Sequence, residues 1–186
     1  MATRVRARVR RVAMVVSLGS AVLAMSACGA SEDAGRTFAV ASIGPGMTVS
    51  PAVNQTRVEL VDVLGRHNLV LSDTQTPVRP AESPLLATAP RSVYQVILPK
   101  DPSRGLIVVY EFADASRAAE AAAQQQAYLA TGPARVQTPS GTVTVIRQVG
   151  STVVLYQWLP DAAQDPSAAG IQTALESLGV GYPVPA

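Results

Sequence analysis

The sequence has few of the residues from which catalytic and metal sites are commonly built. Its 186 residues include one cysteine, Cys28, and one histidine, His67. A single cysteine has no partner for an internal disulfide, and one histidine with scattered carboxylates falls short of a zinc site. No G-x-S-x-G elbow, H-E-x-x-H helix, P-loop or dinucleotide glycine fingerprint is present. These absences favour a protein that is not an enzyme and needs no cofactor.

Basic residues are sparse beyond the N-terminus, which bears on the partners of the protein. Five of the 15 basic residues lie within residues 1–11, and the chain from Cys28 onward holds 10 basic and 13 acidic residues. The formal charge of +2 therefore becomes −3 without the N-terminal segment. Since no basic cluster remains to neutralise a phosphate backbone, we expect no nucleic-acid partner.

The apolar run near the N-terminus is short for a lasting membrane span. Residues 12–27 carry no charge and follow the arginine-rich residues 1–11. This run of 16 residues compares with roughly 20 for a transmembrane helix, so it indicates an export signal. The basic end of such a signal stays in the cytoplasm. Arg10 and Arg11 are adjacent, but the residues around them fit a twin-arginine signal poorly.

Residues 25–28, Met-Ser-Ala-Cys, resemble the lipobox of bacterial lipoproteins. The small residues before the cysteine and Gly29 after it match that family, whereas Met25 stands where leucine is usual. In the family, a diacylglyceryl group is attached to the cysteine thiol, and the signal is then cut before the cysteine. The resemblance covers residues 1–28 and does not extend to the rest of the chain.

The resemblance implies that Cys28 carries lipid and anchors the protein on the extracytoplasmic side of a bacterial membrane. Each buried methylene of an acyl chain such as palmitate contributes about 0.8 kcal/mol, so two or three chains hold a protein firmly on a bilayer. Residues 1–27 are then the signal peptide, and the small, polar residues 28–37 are a tether. Plain secretion with a cut after Ala30 and an uncleaved anchor are the alternatives.

Residues 38–186 are predicted to form a single α+β domain, whose core must be stabilised by packing alone. A helix is predicted over residues 50–64, because a serine followed by proline is a common helix start. A short strand is predicted at residues 69–73. Residues 74–91 contain four prolines and are predicted to be an extended surface connection.

Residues 92–180 are predicted to form two β-β-α halves. Each half has two strands joined by a turn, and a helix follows that is capped by Asp114 in the first half and by Asp165 in the second. The second strands, LIVVYEF at 106–112 and TVVLYQW at 152–158, align position by position. The expected product is a four-stranded, mostly antiparallel sheet with both helices on one face, plus the N-terminal helix.

Alternation along these two strands predicts which residues share a face. In each strand, one set of alternate residues contains the aromatic side chains. We assign both of these sets to the face covered by the two helices: Val108, Tyr110, Phe112, Val154, Tyr156 and Trp158. The other face then presents four branched apolar residues: Ile107, Val109, Val153 and Leu155. An exposed patch of this kind invites association. The candidates to cover it are the helix over residues 50–64 and the proline-rich residues 77–90 within the chain, and a second copy or an envelope partner outside it. We expect the helix to cover it, because its own apolar side also needs a surface to bury against, and the domain to be a monomer.

Two sets of residues are candidates for catalysis if the chain is an enzyme. His67 is near Asp62 and Ser72 in the sequence. The second set consists of carboxylates that follow one another closely: Asp101, Glu111 and Asp114. Structural roles account for all of these residues without catalysis, because such residues commonly occur on the surface, in turns and at helix caps.

The sequence as a whole indicates a non-enzymatic interaction or binding module of the cell envelope. Its partners are the membrane, through the lipid anchor, and an envelope protein or a small ligand. One alternative is a lipoprotein that binds a small molecule in a pocket on the sheet face lined by tyrosine and tryptophan. The other is an envelope hydrolase with a concave site around His67 or paired carboxylates.

Overall fold

A computed structural model describes residues 49–184, all of which belong to one compact unit, Pro45–Ala186. The predicted signal peptide, the lipidation site Cys28, the tether and the first residues of the predicted domain lie outside the described residues. None of the helices within the described part is both long enough and apolar enough to cross a membrane.

The described chain forms five α-helices and six strands, which confirms the α+β class. The helices are α1 (Pro51–Gly65), α2 (Pro84–Thr88), α3 (Ala115–Leu129), α4 (Gly132–Gln137) and α5 (Ser167–Glu176). The strands are β1 (Leu71–Asp73), β2 (Arg91–Val96), β3 (Leu106–Glu111), β4 (Val143–Val149), β5 (Thr152–Trp158) and β6 (Val180–Gly181). A single 3₁₀ turn, Pro160–Ala162, lies between β5 and α5.

The strands form one antiparallel sheet in the order β1-β2-β3-β5-β4-β6. The four inner strands are those that alternation predicts. The sheet has six strands rather than four because a short strand pairs at each edge, with Leu71 opposite Val96 on one side and Gly181 opposite Arg147 on the other. One of them, β1, lies within the strand predicted at residues 69–73, whereas β6 has only two residues and carries too little pattern to be recognised from sequence.

The long helices begin at the residues that the sequence indicates. Ser50 Oγ accepts a hydrogen bond from the Val53 N–H at 3.2 Å, with Pro51 in the first turn of α1. Asp114 caps α3 by accepting from the Arg117 N–H at 2.8 Å. These side chains satisfy backbone donors that have no partner within the first helical turn.

The register of the two central strands corrects the predicted faces. β3 and β5 are antiparallel neighbours, with Tyr110 opposite Val153 and Ile107 opposite Tyr156. Directly opposed residues of neighbouring strands project from the same face of the sheet. Tyr110 therefore lies on one face and Tyr156 on the other, so the prediction that the two aromatic sets share a face is wrong.

The two long helices that follow the strand pairs also lie on opposite faces, not on one. α3 packs on the face that includes Val108 and Tyr110, which we call the α3 face. α5 packs on the face that includes Ile107 and Tyr156, which we call the α5 face. The reason is that four successive residues of β3 are buried, and a strand buried on both sides needs a layer on each face.

The N-terminal helix covers the α5 face beside α5. Leu60 and Leu64 of α1 are fully buried in the same cluster as Ile107 and Val109 of β3. The expectation that this helix covers Ile107 and Val109 is therefore confirmed. The other two residues assigned to that patch, Val153 and Leu155, lie on the α3 face instead.

The proline segment, residues 74–90, crosses the α3 face and contains α2. The prediction of a wholly extended connection is wrong for these five helical residues, because Pro84 occupies the first turn, where proline needs no N–H. Ala81 and Leu86 of the segment are buried against the core of the α3 face.

Candidate functional site

The candidate catalytic histidine lies apart from the residues that were expected to assist it. His67 is exposed in the turn after α1, and its side chain makes no hydrogen bond to any described residue. Asp62 pairs with Arg66 at 2.7 Å, and the Ser72 hydroxyl donates to the Asp73 carbonyl. A nucleophile, its base and an orienting acid need direct hydrogen bonds to one another. The structure therefore does not assemble a catalytic triad from His67, Asp62 and Ser72.

Asp101 is kept apart from the other two candidate carboxylates. Asp101 lies in the turn before β3, whereas Glu111 ends that strand and Asp114 caps α3 beyond it. The length of β3 thus separates Asp101 from the other two. The turn and cap positions proposed for Asp101 and Asp114 match their hydrogen bonds.

Asp101 instead takes part in a reciprocal contact with Asp165, which precedes α5. The Lys100 N–H donates to Asp165 Oδ2 at 3.0 Å, and the Gln164 N–H donates to Asp101 Oδ2 at 3.3 Å. The N–H groups of Lys100 and Ser167 hold the pKa of Asp165 below its ordinary value. The two aspartates join the β2–β3 turn to the β5–α5 loop and have a structural role.

A buried carboxylate fastens the proline segment to the sheet. Glu82 Oε1 accepts from Arg91 Nη1 at 2.6 Å and from the Tyr110 hydroxyl at 2.7 Å, and the Glu82 side chain is only 6% exposed. Burial, reinforced by Glu82, raises the pKa of Tyr110 well above its ordinary value, so the phenol stays protonated and donates. Both contacts are made by Oε1 and join the proline segment to β2 and β3, so we assign Glu82 to the scaffold.

Gln125 of α3 completes the attachment of the proline segment. Its side-chain oxygen accepts from the Ser83 N–H at 2.7 Å, and its amide nitrogen donates to the Ala81 carbonyl at 2.7 Å. Gln125 is fully buried, so both hydrogen bonds replace contacts with water. The proline segment, α3 and β3 are thereby fixed relative to one another, and they form walls on the α3 face.

A cleft of about 510 Å³ opens on the α3 face beside α4. We call it the α4 cleft; its walls come from the end of α3, α4, the loop after α4, the start of β4 and the C-terminal segment. Four of its lining residues are apolar: Leu129, Pro139, Val143 and Val184. Four carry hydroxyl groups: Thr138, Ser140, Thr142 and Thr144. Arg135 is the one lining residue with a charge.

Local sequence explains how these walls form. α4 follows α3 almost directly, because Pro133, after Gly132, supplies the proline of a new first turn. Gly141 then has a φ of +81°, a conformation that residues with a side chain rarely adopt, and it turns the chain into β4. The turn is closed by a hydrogen bond from the Thr142 N–H to the Pro139 carbonyl at 3.2 Å.

A second, smaller cleft of about 240 Å³ lies next to the first on the same face. We call it the Arg79 cleft, since Arg79 of the proline segment lines it together with Arg104, Leu106 and Trp158. Gln157, which lines the Arg79 cleft, donates a hydrogen bond at 3.1 Å to Thr144 Oγ1, which lines the α4 cleft. This cross-strand pair is the boundary between the two clefts.

Arginine is the only charged residue type that lines the two clefts. Arg104 is paired with Asp101 at 3.3 Å. Arg79 and Arg135 are exposed and form no ion pair with any residue in the described part. Surfaces with uncompensated positive charge attract anions, so both clefts are suited to ligands that carry negative charge.

The clefts lack the groups that most catalysis requires. Neither contains a carboxylate, histidine or cysteine among its lining residues, and no group of three potential metal ligands occurs within residues 49–184. Arginine stays protonated at working pH and is a poor general base. What the lining residues can do is bind a ligand through guanidinium, hydroxyl and apolar contacts.

No protein-family model matches the sequence, and comparison with curated proteins and with solved structures gives no match. The functional interpretation of the chain therefore depends on the geometry of the two clefts.

Proposed function

We propose that the protein is a lipid-anchored extracytoplasmic lipoprotein that binds a small ligand in the α4 cleft without catalysing its conversion. The single observation that carries the binding function is the α4 cleft itself. Its volume of about 510 Å³ lies in the range of about 300–1,000 Å³ that is common for small-molecule sites. Apolar walls with a few convergent polar groups are also the usual composition of such sites.

Of the functions considered from the sequence, the clefts favour a small-molecule binder over a module that binds an envelope protein. The feature expected of a small-molecule binder was a pocket on the sheet face lined by tyrosine and tryptophan. No tyrosine is among the residues that line either cleft, and the Trp158 indole, whose residue borders the Arg79 cleft, donates to Gln172 of α5 on the other face. The support for a small-molecule binder is therefore the α4 cleft itself. The hydrolase alternative has no support in the arrangement of His67 or of the carboxylates.

The lipid anchor is supported by the N-terminal sequence. Three features occur in the order typical of lipoprotein signals: the Arg-rich residues 1–11, then the uncharged residues 12–27, then a cysteine directly after small residues.

Lipidation of Cys28 is tested by replacing it. The variant Cys28→Ala should be released from the membrane fraction, and its precursor should stay uncut at this position. An alanine variant that still sediments with membranes and is processed normally would contradict lipidation.

The binding function is tested by filling the α4 cleft. Ser140 is an exposed lining residue, and Ser140→Trp should occupy the cleft without disturbing the core. The matched control is Thr173→Trp on α5, an exposed position on the other face of the sheet. A thermal-shift screen of small metabolites should find compounds that stabilise the wild type and the control but not Ser140→Trp. Compounds that stabilise all three equally, or no stabilising compound, would argue against this function.

A further inference from the structure

We propose that the ligand of the α4 cleft is an amphiphilic anion, that is, a molecule with one carboxylate or phosphate group and a hydrocarbon portion. Arg135 and the cleft hydroxyls bind the anionic group, and the apolar walls contact the hydrocarbon. This inference rests on the proposed function and specifies the class of ligand.

The distribution of arginine partners separates Arg135 from most other arginines of the domain. Of the eight arginines in the described part, five form ion pairs: Arg57, Arg66, Arg91, Arg104 and Arg117. A sixth, Arg147, donates to the carbonyls of Leu178 and Gly179. The remaining two are Arg79 and Arg135, and each lines one of the two adjacent clefts. The arginines without a partner in the described chain are therefore those positioned to meet a ligand.

The hydroxyl groups of the α4 cleft add donors for an anion. Thr144 Oγ1 accepts from Gln157, which leaves the Thr144 hydroxyl hydrogen free to donate. Thr138 Oγ1 is covered and has no hydrogen-bond partner in the structure, although buried hydroxyls usually have one. A guanidinium with hydroxyl donors beside it provides the charge-assisted hydrogen bonds that carboxylates and phosphates form.

The apolar walls are continuous with the hydrophobic core of the α3 face. Leu129 is part of that core and Val184 packs against it. A hydrocarbon portion of the ligand would therefore extend the core rather than lie on a polar surface, and it gains free energy from each methylene removed from water. A cationic ligand is disfavoured, because neither cleft contains a carboxylate to receive it.

The test compares ligands that differ in one part only, using the full chain and isothermal titration calorimetry in detergent-matched buffer. Octanoate and octyl phosphate have both parts, 1-octanol has only the hydrocarbon, and acetate and inorganic phosphate have only the anion. One of the two octyl anions should bind at least about tenfold more tightly than 1-octanol and than its own short anion, since hydrogen bonds to charged groups are worth this much. The tighter of the two octyl anions identifies the head group.

The contribution of Arg135 is tested by Arg135→Gln, with Arg117→Gln as the matched control. Arg117 is also exposed and its pair with Glu120 lies on α3, outside both clefts. Neither change touches the core, so both variants should melt at the wild-type temperature. Arg135→Gln should weaken binding of the octyl anion about tenfold, and Arg117→Gln should leave it unchanged.

Several outcomes would overturn the amphiphilic anion. The first is that 1-octanol or a short anion binds as tightly as the octyl anions. The second is that Arg135→Gln binds the octyl anion like the wild type. The third is that neither octyl anion binds. If other compounds still bind in a manner that Ser140→Trp abolishes, the proposed function stands and only the ligand class is wrong. If Ser140→Trp affects no ligand, the proposed function is wrong as well.

Discussion

Asp165 stabilises the domain chiefly through neutral donors. Its two carboxylate oxygens accept from the N–H groups of Lys100 and Ser167 at 3.0 and 2.9 Å, and the residue is 4% exposed. Two loops that are distant in sequence therefore depend on one charged side chain. The contact involves backbone atoms, so the identities of the donor residues matter little, while the charge of Asp165 matters a great deal.

We expect Asp165→Asn to lower stability at neutral pH and to have little effect in acid. The pKa of Asp165 is lower in the folded state than the unfolded value of roughly 3.9. The charged form therefore adds stability that is fully present above the unfolded pKa and is lost as pH falls through the folded pKa. Urea midpoints of the wild type and the variant, measured from pH 7 down to pH 2, should converge at the acid end.

The control for this prediction is Asp161→Asn, which changes an exposed aspartate in the neighbouring 3₁₀ turn. It should leave the pH profile of the wild type unchanged. A constant gap between wild type and Asp165→Asn at every pH would show that the carboxylate charge is not what joins the loops.

At the residue scale, the sequence predicts the caps but not the residues of the proposed site. Ser50 and Asp114 act on donors within three residues, so their roles are visible in a short stretch of sequence. Arg135, Thr144 and Val184 come together from three separate parts of the chain. No spacing between them is fixed by local structure, and each alone is typical of any exposed surface.

α5 is the element whose buried side is clearest from sequence. Ile171, Ala174, Leu175 and Leu178 follow the helical period and are at most 2% exposed. The helix begins at Ser167, directly after Pro166. Asp165 Oδ1 still accepts from the Ser167 N–H, so the expected cap residue satisfies a donor at the helix start.

We expect Leu175→Ala to destabilise the domain by about 2–5 kcal/mol, because the change opens a cavity in the core of the α5 face. Glu176→Ala alters the next residue, which is exposed, and should change stability by no more than about 0.5 kcal/mol. Chemical denaturation of both variants measures the difference. Equal losses would mean that the buried side of α5 is not the one described.

At the element scale, the pattern of apolar residues predicts where strands and helices lie better than it predicts which face of the sheet each side chain or helix occupies. Aligning β3 with β5 by sequence places Tyr110 beside Tyr156, but antiparallel pairing reverses one strand and offsets it by an odd number of residues. That offset is set by the whole sheet and is invisible in either strand alone. The same limit applies to α4, because a glycine followed by proline can end one helix and begin another.

The molecule as a whole is a sheet between two unlike layers. α3, α4 and the proline segment form the layer that contains both clefts, whereas α1 and α5 form a closed apolar layer on the other side. The proposed binding site therefore lies on the α3 face, and α1 belongs to the apolar layer on the α5 face.

This division predicts what happens when α1 is removed. Deletion of residues 29–68 takes away Val53, Leu60 and Leu64 and exposes Ile107 and Val109, all now buried in one cluster. An apolar surface of that kind associates with copies of itself in water. Light scattering should show a monomer for the intact mature domain and dimers or larger species for the truncated one.

The control is deletion of residues 29–48, which removes sequence before α1. This shorter deletion should leave the domain monomeric. A stable monomer after deletion of residues 29–68 would show that α5 covers this face without help from α1.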